Sequence, residues 1–412
     1  MIAAMPLDFK KLICARFLFT FAVQMQAVVL GWRIYEIVGD PLALGFIGLA
    51  EAVPAIGLAL FAGYIVDRMR PLLAYRRVMY VSFLSGLIVL AEHMFEQNLS
   101  YYAQAGLLYF AAFLTGAARS FSGPCVFASV PRMVSREQLF RCTALMSTAM
   151  QVARVAGPAA GGLAFGFLGA VFSSSMVCLF LIVGIGGMLL IKNDVPAPSQ
   201  LHQHASIKEE LLSGARFVFA HPILFPALTL DMISVLFGGV TALLPIFAKE
   251  ILMIGPKGLG LLRAAPAVGA ALMGFFLARN VEAFRTGRHL FIAVAGFGLC
   301  ILVFGMSTNY IISIAALAFS GAFDSISMVI RSACVQLTSP DHMRGKISAV
   351  NSIFIGSSNE IGEFESGIAA KLLGTVPAVY LGAVVCLFTT AVVAGLSPAL
   401  RKLDLKKLGV PE

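Results

Sequence analysis

The sequence predicts an all-α polytopic membrane protein whose twelve transmembrane helices form two pseudo-symmetric six-helix bundles, and three observations predict it. Hydrophobic residues make up 59% of the 412-residue chain and charged residues 12%, against about 45–50% and about 25% in an ordinary soluble domain. Gly, Pro and charged residues divide the apolar sequence into about twelve stretches near the ~20 residues that one span requires. The halves also repeat loosely. Leu49-Ala50-Glu51-Ala52-Val53-Pro54-Ala55-Ile56-Gly57 returns as Leu261-Leu262-Arg263-Ala264-Ala265-Pro266-Ala267-Val268-Gly269. Further on, Gly116, Arg119, Ser120, Gly157 and Gly162 align at one constant offset with Gly321, Asp324, Ser325, Gly362 and Gly367. A repeat on this scale implies two bundles of like topology.

The N-terminal bundle, 1–192, is expected to hold spans 11–37, 42–66, 75–96, 101–130, 138–167 and 169–192. Lys10 and Lys11 precede an apolar run as in a signal peptide, but no small-residue cleavage site follows and the run continues past Arg16, which predicts a retained first helix. Trp32 and Tyr35 close that span where amphipathic aromatics anchor at the interface. Arg33 between them is expected to reach the headgroups. In the fifth span, small residues from Ala153 to Gly162 let a neighbouring helix approach closely, while Pro158 bends the chain and removes a donor. Gly157, Pro158, Gly161 and Gly162 are therefore hinge candidates.

Residues 193–220 read as a cytoplasmic linker. Lys192–Ser206 is the most polar stretch of any length, and Ile207–Phe219 gathers its apolar residues toward one side of a helix, as a surface-lying amphipathic helix does. His202 and His204 lack the neighbouring ligands that a metal needs, so no metal site is expected. The C-terminal bundle, 221–412, is expected to hold spans 221–250, 258–279, 287–306, 309–337, 345–371 and 375–400. The seven cysteines are scattered without a CxxC pair and read as small apolar packing residues.

Orientation follows from the positive charge, because cytoplasmic loops retain Lys and Arg. With the N-terminus inside, inner loops and span ends hold 21 of the 30 Lys and Arg, from Lys10 to Lys407, and outer ones hold only Lys249, Lys257 and Lys371. Both termini are thus expected in the cytoplasm. The net charge of +9 belongs to inner loops facing anionic lipid, so no nucleic-acid partner is indicated. An enzyme is not expected either: there is no nucleophile with a His partner, no phosphate loop and no metal-ligand cluster.

Ionisable side chains inside spans each cost roughly 2.5–3.5 kcal/mol on insertion scales, which makes them the first place to look for function. Six acids lie there, Glu51, Asp231, Asp324, Glu360, Glu363 and Glu365, beside six arginines, Arg16, Arg33, Arg119, Arg154, Arg263 and Arg331. Glu360 and Glu363 share a helix face, and neighbouring carboxylates suit proton loading and release. No histidine lies deep in a span, so Asp231, Glu360, Glu363, Glu51 and Asp324 are the proton-coupling candidates. Static pairing with Arg119, Arg154, Arg263 or Arg331 is the alternative. Gln24, Gln26, Arg119, Asp231, Phe237 and Glu360 are the substrate-binding candidates; the two glutamines could equally bond to neighbouring helices, and Phe237 could be packing.

Over its whole length the chain resembles the major facilitator superfamily. Gly63-Tyr64-Ile65-Val66-Asp67-Arg68-Met69-Arg70 is similar to that superfamily's signature between helices two and three, with Arg70 in place of its second Gly and Pro71 in place of the basic residue. Arg119-Ser120-Phe121-Ser122-Gly123 resembles the fourth-helix Arg motif, with Ser122 where Gln is usual. Gly157-Pro158-Ala159-Ala160-Gly161-Gly162 resembles the fifth-helix motif of exporters that exchange substrate for protons, with Ala153 in place of its leading Gly. Ala118–Phe121, Val130–Val134, Leu236–Pro245 and Ser357–Gly367 resemble the enterobactin-exporter-like branch of bacterial efflux proteins.

The resemblance implies a multi-pass transporter of the bacterial inner membrane, acting as a monomer without cofactor. It would draw on the proton gradient to export a siderophore-like or amphipathic organic molecule by alternating access. Multidrug/proton antiport, proton-driven uptake of a small metabolite and a non-transporting receptor or scaffold are the alternatives. It also implies gating roles for Gly63, Asp67, Arg68 and Arg132, with Asp67 latching the inner gate through Arg132 or nearby helix N-termini.

Overall fold

With no water in the hydrocarbon core to satisfy backbone amides, each span must bond within itself, and apolar runs of this length become helices. A computed structural model describes residues 6–191, 207–279, 286–340 and 343–404. Its helices are α1 (Leu7–Val38), α2 (Pro41–Arg68), α3 (Pro71–Met94), α4 (Tyr101–Met133), α5 (Arg136–Leu168), α6 (Ala170–Leu189), α7 (Ile207–Ala220), α8 (Leu224–Gly238), α9 (Leu244–Ile246), α10 (Gly255–Arg279), α11 (Gly287–Met306), α12 (Tyr310–Thr338), α13 (Arg344–Leu373), α14 (Thr375–Leu396) and α15 (Pro398–Arg401). Among the described residues β pairing is confined to one isolated bridge, Thr286 with Asp404.

Nine helical stretches among these residues are long and apolar enough to cross a membrane. Helices α4, α5 and α13, of 33, 33 and 30 residues, stand where the fourth, fifth and eleventh spans are expected. Helix starts follow local chemistry. Pro41 and Pro71 occupy first-turn positions that need no amide donor, and Asp40 caps α2 by accepting from the Leu42 amide at 3.0 Å.

Packing divides the chain into two compact units, each with its own core. The first holds α1 to α6 together with Pro245–Ala264; the second holds α7, α8 and the chain from Ala265 onward. Compactness therefore does not follow the linker alone. In the first unit α1 lies against α5 and α6, while α3 lies against α4 and α6. The second repeats this order, with α8 against α13 and α14, and α11 against α12 and α14.

Glycines mark the repeat at matched places. Gly169 and Gly374, at φ +84 and +93, turn the chain between the last two spans of each half, a conformation that side chains resist. A Cβ on Gly116 would strike the Glu51 backbone, and one on Gly321 would strike the Pro266 backbone.

Three expectations change. The seventh span is not continuous: α8 ends at Gly238, Gly239 is extended, and the chain resumes through a 3-10 turn, Thr241–Leu243, then α9 and a π turn, Phe247–Ile251. The linker helix α7 turns part of its apolar face to protein rather than to lipid: Val218 is fully buried and Ala215 and Phe217 pack into the second core, while Arg216 and Phe219 stay exposed. Trp32 and Tyr35 are buried rather than interfacial. The Tyr35 hydroxyl donates to the Glu250 carboxylate, and the Trp32 ring stands 6.5 Å from Phe165.

Candidate functional site

In the second unit the acids converge on one arginine. Asp231 on α8 and Arg331 on α12 form an ion pair whose side chains are 8% and 7% exposed. Asp324, two turns before Arg331 on the same helix, lies within electrostatic reach of both. Between them Ser327 is buried, and its hydroxyl, like the Nε of Arg331 and the hydroxyl of Thr229, has no hydrogen-bond partner among the described residues. Two carboxylates around one guanidinium leave a negative charge over. Buried charge imbalance of this kind is expensive unless a proton or ligand removes it.

The break in the seventh span lies two turns beyond Asp231, about 10 Å along the axis. Small residues hold it. Gly362 brings α13 onto Leu236, Gly382 brings α14 onto the Phe237 carbonyl, and the Ser366 hydroxyl donates to the freed Gly239 carbonyl at 3.0 Å. Phe237 is half-buried at this point, and Glu363 is half-buried on α13. The side chain of Glu360 lies outside the described residues.

In the first unit Glu51 and Gln26 serve helix contacts. Glu51 on α2 pairs with Arg119 on α4 at 2.8 Å. Gln26 is buried and donates to Ser85 at 2.8 Å and to Thr115 at 3.4 Å, tying α1 to α3 and α4. This removes Gln26 from an open wall, since its amide is already satisfied. A Cβ on Gly157 would come 2.8 Å from the Gln24 Cβ, and one on Gly161 would come 2.7 Å from the Met25 carbonyl, so these glycines seat α5 on α1. Pro158 is buried between them.

Gly162 faces elsewhere. It meets Gly260 of α10 backbone to backbone, and a Cβ on Gly260 would lie 2.8 Å from the Gly162 Cα. Beside this crossing the Lys257 ammonium lies 3.5 Å from the Phe167 ring centre, and the Lys249 ammonium 5.1 Å from that of Tyr35. Arg132 is exposed in the last turn of α4. The side chains of Asp67 and Arg68, and Gly63, lie outside the described residues, as do His202 and His204.

Arg33 corrects another expectation. Rather than reaching headgroups, it is 11% exposed and binds Glu92 at 3.0 Å, Glu96 at 2.5 Å and Glu36 at 3.3 Å. Glu92 is fully buried, and neighbouring His93 bonds to Ser174 at 2.9 Å. The signal was present in Glu92-His93, which the sequence places near the end of a span. No group of three or more His, Cys, Asp or Glu side chains suited to a metal occurs among the described residues.

Paired helical bundles, a broken span and buried ion networks define a membrane transporter of the major facilitator type. Solved structures with this fold include a POT family transporter in complex with 5-aminolevulinic acid (TM-score 0.77, 11% identity, 96% of this chain and 97% of that one). A bacterial homologue of the iron transporter ferroportin is also similar (TM-score 0.70, 16% identity, 93% and 98%), and so is the nucleoside transporter NupG (TM-score 0.70, 10% identity, 98% and 100%). At such identities they speak for the fold alone.

The chain belongs to the transmembrane secretion effector family, whose profile matches residues 6–409. Among curated relatives, the enterobactin exporter EntS of Escherichia coli O1:K1 / APEC is 24% identical over 225 residues, 55% of this chain. EntS of Shigella boydii serotype 18 is 25% identical over the same length. The aligned part spans about half of those relatives, 53% of their length.

Proposed function

We propose that this protein is a proton-coupled exporter that moves a siderophore-like or other amphipathic organic molecule across the bacterial inner membrane by alternating access. The observation that carries the reading is the buried group of Asp231, Asp324 and Arg331. Its charge balances when one carboxylate holds a proton, and a change of partner at Arg331 would release that proton. Because Asp231 stands on α8, two turns from the break, proton loading acts on the broken helix, and broken helices are where transporters commonly form their binding sites. In this reading Phe237 and Glu363, and on the sequence pattern Glu360, contribute to the substrate wall of the second bundle, and Glu51 with Arg119 serves the first bundle as a static pair. The resemblance of the fifth-helix motif to exporters and the names of the curated relatives favour efflux.

The two bundles, 1–192 and 221–412, act as the moving halves of a monomer, with both termini in the cytoplasm. Gly162 and Gly260 allow α5 and α10 to close on the outer side, and Asp67 with Arg132 closes the inner side. Substrate and protons move in opposite directions. The test is purified protein in liposomes carrying a pH-sensitive dye, challenged with catecholate and hydroxamate siderophores and with lipophilic cationic drugs. Siderophore-dependent proton movement opposite to cargo supports the reading; a response confined to drugs replaces it with multidrug antiport, and movement in the same direction replaces it with uptake.

A further inference from the structure

We propose that the first bundle contains an anion-binding subsite, a cavity of about 530 Å³ between α1, α4 and α5, that takes the acidic group of an amphipathic organic substrate. It rests on the transport reading and assigns the cargo a charge. Arg16 of α1 and Arg154 of α5 both line the cavity. Each lies within electrostatic reach of the other, and Arg154 also feels Arg119, which Glu51 already occupies. Neither Arg16 nor Arg154 has a carboxylate partner among the described residues, and no described acid lines the cavity.

Two like charges facing one space repel, with Arg16 half-buried and Arg154 exposed toward it; an anion between them relieves the repulsion. Guanidinium groups present paired donors that match a carboxylate or catecholate. The rest of the lining suits an amphipathic body. Thr143, Ser147 and Gln151 lead to Arg154 along one face of α5, while Val130, Met146 and Met150 supply an apolar, adaptable wall. The volume falls within the roughly 300–1,000 Å³ of small-molecule pockets.

Full-length protein in phosphatidylcholine nanodiscs, with radiolabelled 1-naphthoate as the probe and 1-naphthamide and naphthylmethylammonium as competitors, tests the site. Saturable naphthoate binding that neither competitor displaces is expected. Arg16→Gln and Arg154→Gln each weaken it about tenfold or more, and the lysine variants recover part of the loss. Thermal unfolding identifies any variant that fails to fold, and Gln151→Glu, which supplies an internal acid beside Arg154, then provides the same loss by an independent route. Absent saturable binding, displacement by the neutral amide, or indifference to these variants overturns the proposal. So does binding abolished by added phosphatidylglycerol, which would give the arginines to a lipid headgroup. No gradient is applied, so failure here leaves proton-coupled transport standing, and failure of transport in an Asp231→Asn protein leaves this binding standing.

Discussion

In the first bundle Glu51 pairs with Arg119, whose side chain is 47% exposed; in the second, Arg331 is buried at 7% exposure with Asp231 bound and Asp324 in reach. The repeat aligns Glu51 with Arg263 and Arg119 with Asp324, so the signs are exchanged between halves. Glycine contacts recur between matched helices, Gly116 on Glu51 and, about one turn further along, Gly321 on Pro266. Packing is fixed by the close approach of two backbones, which only a missing Cβ permits, whereas charge at the same height is free to diverge. Among the described residues Arg16 and Arg154 of the first half have no carboxylate partner, although Arg33 there gathers three, while in the second half Arg331 has two carboxylates in reach; cargo binding in one bundle and proton handling in the other is the division we propose.

Breaking the second bundle's network is the strongest perturbation. Arg331→Leu strands the buried Asp231 and Asp324 and should cost about 3–5 kcal/mol, read as a large fall in thermal unfolding temperature. Adding Asp231→Leu should restore most of that loss without restoring transport. Steric separation of α5 from α10 comes next. Gly162→Leu places a side chain against the Gly260 backbone, with an overpacking cost of about 1–3 kcal/mol and transport abolished; a normal transport rate would remove that crossing from the cycle. Smallest is Glu51→Gln in the part-exposed pair of the first bundle. It should change stability by about 0–1 kcal/mol and leave proton movement within about twofold of the parent; a larger drop would give the first bundle a share in coupling.

Class and span order were legible because burial of apolar surface and backbone satisfaction are local, composition-driven demands. Helix α7, expected over Ile207–Phe219, runs Ile207–Ala220. The break at Gly238-Gly239 was written in the sequence yet not read, because a glycine pair costs a helix only about 1–2 kcal/mol. What decides the break is tertiary: Gly362 and Gly382 crowd the preceding turn, and Ser366 satisfies the freed carbonyl. Pairing of the buried charges was likewise illegible. Equal numbers of acids and arginines suggest balance, but Arg33 gathers three carboxylates while Arg16 and Arg154 face a cavity. Trp32 and Tyr35 look like interfacial anchors until Phe165 and Glu250 are brought against them.

The most direct measurement is substrate-induced proton movement in liposomes for three proteins made and shown to be folded in parallel: the parent, Asp231→Asn and Glu51→Gln. The account predicts that Asp231→Asn abolishes the dye response while substrate binding persists, and that Glu51→Gln responds like the parent. A full response from Asp231→Asn, or its loss in Glu51→Gln alone, would contradict the assignment of the proton to the second bundle.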